Sequence, residues 1–157
     1  MRNRLVLLFL LALAAGSEVG AAANGLAVHV RVADGVLISI VRNEGMPDAE
    51  VSNGYLLSGR GGGNVLPILV SSFGQLIPPC STTMPSEEFS GAKSLSSGKE
   101  VEIGRVGLKS LARLHCLDEG TYTLAVAYRA PSGSLYFSNQ LTMVVMSDGS
   151  VSVKGSD

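Results

Sequence analysis

From Leu26 the chain alternates. Val28, Val30 and Val32 fall on one side of an extended segment and His29 and Arg31 on the other, the period of a half-buried opening strand. Asp34-Gly35 marks a tight turn, and Val36 to Val41 is apolar on both faces, the pattern of a central strand. That run ends in the turn-rich Asn43-Glu44-Gly45-Met46-Pro47-Asp48. A third strand is predicted over Glu50 to Leu57 and a fourth over Val65 to Val70, where Pro67 marks an edge position or a bulge. Between them Ser58 to Asn64 is dense in glycine and has few side chains to pack, so a mobile loop is expected.

Ser71-Ser72-Phe73-Gly74-Gln75 reads as a hairpin tip, after which Ile77-Pro78-Pro79-Cys80 leads into a long polar connection reaching Gly98. Lys99-Glu100-Val101-Glu102-Ile103 alternates, with Val101 and Ile103 inward and the carboxylates outward. Leu108, Leu111 and Ala112 stand at i, i+3 and i+4, which predicts a short helical turn crossing from one sheet to the other. In the next strand Tyr122, Leu124, Val126 and Tyr128 face inward and Thr121, Thr123, Ala125 and Ala127 outward. After the turn at Pro131-Ser132-Gly133 a last strand runs from Leu135 to Met146, with a break near Ser138-Asn139. Val151 to Val153 forms a final ribbon whose pairing the pattern leaves open. The count is about seven strands separated by turn signals, an all-β reading.

Asp118-Glu119-Gly120-Thr121-Tyr122 opens the long alternating strand and resembles the tyrosine corner of immunoglobulin-like sandwiches. The resemblance implies a single Ig-like antiparallel β-sandwich with the helical turn just before its penultimate strand. It also implies a structural role for Asp118, Gly120 and Tyr122, whose hydroxyl would bond to upstream backbone. Antibody domains differ: Leu124 stands where they place their second core cysteine, and this chain has no tryptophan. Glu88-Phe89-Ser90-Gly91-Ala92, Leu95 to Glu100 and Gly120-Thr121-Tyr122 together are similar to bacterial Ig-like domains of the BsuPI proteinase-inhibitor type. That similarity implies an inhibitor.

The N-terminus changes the compartment. Arg2 and Arg4 precede the apolar run Leu5 to Ala15 and a small-residue stretch, the layout of a secretory signal peptide. Removal of residues 1–23 is expected, with Ala21-Ala22-Ala23 and Leu13-Ala14-Ala15 as alternative cleavage boxes, leaving 24–157 as one domain. The run is short of the roughly 20 residues of a spanning helix, so no membrane insertion is expected after removal. A periplasmic or secreted protein follows. Cys80 and Cys116 are the only cysteines, and an even count in an exported chain predicts one disulfide rather than a redox pair, which would read Cys-x-x-Cys. The net charge of -1 offers no basic stripe for nucleic acid.

Candidate chemistry is sparse. His29 and His115 are the only imidazoles, and neither stands at a metal-binding spacing from a second ligand. His115 adjoins Cys116, but neighbouring residues point apart and a disulfide consumes the thiol, so the histidine is expected at the surface beside the bridge. Glu87-Glu88 and the Glu100/Glu102 pair read as solvated charge, and Arg60-Gly61-Gly62-Gly63 lacks the Lys-Ser or Lys-Thr of a phosphate loop. No catalytic, cofactor or metal site is predicted. The expected function is a non-catalytic module that binds another protein, as an inhibitor or immunity-type protein, through loop tips: Phe73 and Gln75 at one tip, and Met84, Glu87 and Phe89 in the long connection. The alternative is a structural or assembly subunit joining partners by strand addition.

Overall fold

The computed structural model describes residues 25–52, 64–80 and 92–154. The leader, the Gly-rich loop as far as Gly63, the distal part of the third predicted strand, Glu88, Met84, Glu87 and Phe89 lie outside those residues.

Ten strands and one helix are described: β1 (Leu26–Ala33), β2 (Val36–Asn43), β3 (Ala49–Val51), β4 (Val65–Ser71), β5 (Lys93–Leu95), β6 (Glu100–Gly107), α1 (Leu108–Leu114), β7 (Gly120–Arg129), β8 (Leu135–Phe137), β9 (Leu141–Val145) and β10 (Val151–Lys154). All pairings are antiparallel. One sheet runs β1-β2-β6; the second runs β10-β9-β7-β4, with β8 also on β7; β3 and β5 form a small ribbon. The order β1-β2-β6 against β9-β7-β4 is that of strands A-B-E against G-F-C in an immunoglobulin-like sandwich. The expected seven strands become ten because the last one splits into β8 and β9, β10 pairs with β9, and β5 condenses from the polar connection against β3.

The core follows the alternation. Val28, Val30, Leu37 and Val41 from the first sheet meet Leu69, Leu124, Val126 and Met143 from the second. Leu108, Leu111 and Leu114 of α1 close one end, at the i, i+3 spacing that a helix requires. At the other end Asn43 is fully buried and fully bonded: its Nδ2 donates to the carbonyls of Leu95 (2.9 Å) and Pro47 (3.1 Å), and its Oδ1 accepts from Gly45 N–H. One amide thus ties β2, β5 and the turn between them.

Two irregularities shape the surface. Ser39 pairs with Gly104 but Ile40 with Glu102, so β6 carries an extra residue, a bulge. A regular strand sends positions three apart to opposite faces; the bulge resets the phase, so Glu102 and Arg105 share the outer face, and Ile103 and Val106 the inner. The second lies between β8 and β9. Ser138 exchanges bonds with Val126, N–H to carbonyl and Oγ from N–H, both 2.9 Å. Asn139 then swings to the other sheet, where its Oδ1 accepts from Val30 N–H (2.8 Å) and its Nδ2 donates to Val30 C=O (3.2 Å). A side-chain amide here imitates a paired strand residue.

Candidate functional site: an apolar sheet face

Tyr122 lies at the start of β7 with its hydroxyl donating to Asp118 C=O at 2.9 Å, and a Cβ at Gly120 would meet that hydroxyl at 3.5 Å, ordinary contact, so the corner does not require glycine there for space. Cys80 and Cys116 are bonded to each other. The bridge follows α1, and Cys80 N–H donates to Leu114 C=O (2.9 Å), so the segment after the 71–75 tip is strapped to the helix. His115 is not at the surface as its position beside the bridge suggested. It is buried, with Nδ1 2.9 Å from Ile77 C=O, because it ends the helix on the side that covers the core. Loss of solvent holds its pKa below the ordinary histidine value, partly countered by the Ile77 and Pro78 carbonyls.

The tip itself is a built hairpin. Ser71 Oγ accepts from the N–H groups of Phe73 and Gln75, Gly74 takes the positive φ of 76°, and Leu76 bridges back to Val70. Phe73 is 89% exposed, so it does not plug the core, and Gln75 is exposed beside it. Gly74 sits between them at a conformation only glycine adopts without strain. Met84, Glu87 and Phe89, the other predicted binding residues, lie outside the described residues.

What the sequence reading missed is the surface this tip borders. Register places Leu66, Ala127 and Phe137 in one row across the outer face of the second sheet, Ile68 and Ala125 in the next, and Val70 and Thr123 in the third. Ile68, Val70 and Ala127 cluster with Phe137 packed against them, apart from the main core. Leu76, opposite Val70, shares its side of the pleat and is half exposed. Leu135, 52% exposed, borders the patch beyond Phe137. Ala125 and Ala127 point outward as expected, yet they are buried, as are Ile68 and Val70 beside them, so the centre of this face is not open and only its rim, Leu66, Leu76 and Leu135, is exposed. The available signal was the run Val65 to Val70, apolar at both alternations. It was read only for the edge proline it contains.

The β4 and β1 edges are poor sites for a further strand. Arg129 N–H donates to Asn64 C=O and Ile77 N–H to Leu69 C=O, which fixes the phase of β4. Val65, Pro67 and Leu69 therefore turn their backbone groups to the outer edge. Proline brings no donor there, and Leu76-Ile77 covers the far end. On β1 the Asn139 amide occupies Val30. Among the described residues no three His, Cys, Asp or Glu side chains converge as a metal site would require, and no helix is long and apolar enough to cross a membrane.

Neither a family model nor a curated protein matches the chain. The similarity to BsuPI-type domains therefore rests on residue spacing alone.

Proposed function

We propose that the protein is an exported, non-catalytic binding module that recognises another protein through the outer face of the β4-β7-β8 sheet and the Phe73 tip beside it. The observation that carries this reading is the concentration of exposed apolar side chains on one side of the molecule: Leu66, Leu76, Leu135 and Phe73 surround a small apolar cluster. Exposed apolar side chains gathered near one another on a folded domain mark a recognition site. Export is supported by the leader pattern of residues 1–23 and by the disulfide, a bond that belongs to oxidising compartments. Recognition by side chains, as an inhibitor or immunity-type protein would use, is supported by these exposed apolar side chains, while two of the four sheet edges, β1 and β4, are capped against strand addition.

Photocrosslinking in the producing cell tests it. A crosslinker at Leu135 or Phe73 is expected to trap one partner, and a crosslinker at His29, on the opposite outer face, to trap none. Equal trapping from His29, or none from any position, would overturn the reading.

A further inference from the structure

The bridge behind the Phe73 tip lies on the outside of the molecule: Cys80 and Cys116 are bonded to each other and both are exposed. Its two ends are held very differently. Cys116 sits just past α1 at a φ of 47°, the left-handed position that closes a helix, with its own N–H on Arg113 C=O (3.1 Å) and Leu117 N–H on Ala112 C=O (3.0 Å). Leu108, Leu111 and Leu114 root that helix in the core, so this end stays in place without the bridge. Cys80 ends a stretch with little to keep it down. From Leu76 to Cys80 only Ile77 is half-buried, and Pro78 and Pro79 bring no N–H. Among the described residues three hydrogen bonds dock the stretch, each 2.9 Å: Ile77 N–H to Leu69 C=O, Cys80 N–H to Leu114 C=O, and His115 Nδ1–H to Ile77 C=O. Few bonds and little buried apolar surface define a segment that opens locally, well before the domain unfolds.

We propose that the Cys80–Cys116 bridge is a reducible clasp: a dithiol opens it in the folded protein, residues 76–80 lift from α1, and the Phe73 tip loses its backing while both sheets stay closed. Control of the tip rests on the reading of Phe73 as part of the recognition surface; the clasp itself does not. The exchange balances. A thiolate of the dithiol attacks one sulfur of the bridge, the Cys80–Cys116 bond breaks and a mixed disulfide forms; the second thiol of the dithiol then closes it into its own disulfide. Two electrons pass to the bridge, and both cysteines become thiols with the two protons that the dithiol gives up. Exposure is what admits the attacking group, and an exposed bridge belongs to the labile class. The chain acts here as the substrate of thiol exchange, in keeping with its lack of a Cys-x-x-Cys pair. Lifting the stretch also withdraws Ile77 C=O from the buried His115 ring, which gives the event a local reporter.

The test uses the full chain purified from its expressing cells with the bridge closed. It is treated with dithiothreitol in native buffer, and new thiols are counted by alkylation and mass measurement. The rate of reduction is expected to rise in proportion to dithiol concentration and to pass the rate of global unfolding in the same buffer. In the reduced protein, amide exchange at Ile77 and Cys80 should quicken at least about tenfold and the His115 ring resonances should shift, with protection in β1, β2 and β6 unchanged. A rate that levels off at that of global unfolding overturns the clasp and makes the bridge a staple opened only in the unfolded chain. Unchanged exchange at Ile77 and Cys80, or loss of protection throughout both sheets, overturns it as well. For the tip, a crosslinker at Phe73 should trap its partner less from the Cys80→Ser, Cys116→Ser chain than from the bridged one, and equal trapping overturns the control. Trapping from neither chain overturns the recognition reading instead, while reduction rate and exchange still decide the clasp.

Discussion

The two outer faces of this sandwich start from similar material and end as different surfaces. Across the first sheet, register sets Arg42 beside Glu100, His29 and Glu102 on either side of Ile40, and Arg31 and Arg105 on either side of Ile38. Glu102 and Arg105 join in a bidentate pair at 2.7 and 2.8 Å, which the bulge in β6 makes possible. Long charged side chains there flank the isoleucines, and their alkyl stems can cover them while the charges stay in water. Across the second sheet Ile68 and Val70 have alanine and threonine beside them. One face is finished by its own charges; the other is apolar, buried at its centre and exposed at its rim of Leu66, Leu76 and Leu135. Exposed apolar side chains on that rim carry a cost in solubility, which the proposed partner would offset.

The strongest way to break the comparison is to loosen the end at which the apolar face meets its tip. Replacing both cysteines, Cys80→Ser with Cys116→Ser, releases a loop of sequence separation 36 and is expected to cost about 4 kcal/mol in the chain-entropy picture. Denaturant unfolding measures the total. Hydrogen exchange locates it: protection should fall most at Leu69 to Ile77 and in α1, and least in β1-β2-β6. Uniform loss over both sheets would show that the bridge does not serve the apolar side in particular.

Asn139→Ala comes next. It leaves Val30 N–H and C=O, partly buried at the edge of β1, without the amide that occupies them. A loss of about 2 kcal/mol is expected, together with a tendency to associate through the opened edge. Unchanged stability and a monodisperse sedimentation profile would show that water replaces the amide at no cost.

Much of this architecture was legible before any coordinates. The valines of β1, the both-faced apolar run of β2, the i, i+3 leucines of α1 and the Asp-x-Gly-x-Tyr turn each carry a local signal strong enough to place the element. The bulge did not show, because alternation through Ile103 continues as if Gly104 ended the strand, and only pairing with Ser39 reveals that the phase resets. The apolar outer face of β4 and β7 was hidden for a related reason. Apolarity at Leu66 and Ile68 says that a strand is covered on both sides, but which residues share its outer face depends on which strand lies next to it. Phe73 and Gln75 were read correctly as a tip from the Ser-Phe-Gly pattern; its neighbour across the turn, Leu76, was not seen as part of the face.

Tyrosine hydroxyls give a matched pair at the next scale down. Tyr122→Phe removes a 2.9 Å bond to Asp118 C=O and should lower stability by about 1 kcal/mol. Tyr136, buried across from Tyr128 with a hydroxyl that has no hydrogen-bond partner among the described residues, should tolerate Tyr136→Phe with no loss or a small gain. Equal effects in urea titrations would contradict the assignment of the first as a structural bond. His115 adds a pH dependence of defined sign. Burial favours its neutral form in the fold, so the unfolded chain binds the proton more readily. Its contribution is complete above the ordinary value of about 6.5 and declines as pH falls through that value toward the lower folded one. The melting temperature should drop between about pH 7.5 and 5.5, and less so in His115→Gln.

The smallest expected change in stability carries the sharpest test of the two faces. Glu102→Gln removes an ion pair whose partners are 37% and 60% exposed, and Leu135→Glu places a charge at a 52% exposed position. Each should move the free energy of unfolding by no more than about 0.5 kcal/mol, since surface pairs are screened and isolated surface changes are mild. Arg105 beside it holds the Glu102 carboxyl below its ordinary value, so the little that this pair contributes is present above the usual carboxylate range and fades as pH falls through it. Binding should separate the two variants completely. Glu102→Gln lies on the face finished by its own charges and should leave capture of the partner unchanged, whereas Leu135→Glu puts a carboxylate on the rim of an apolar surface and should reduce capture at least tenfold, about 1.4 kcal/mol. If Glu102→Gln weakened binding as much, the charged face would be the recognition surface and the contrast between the two sheets would have to be read the other way round.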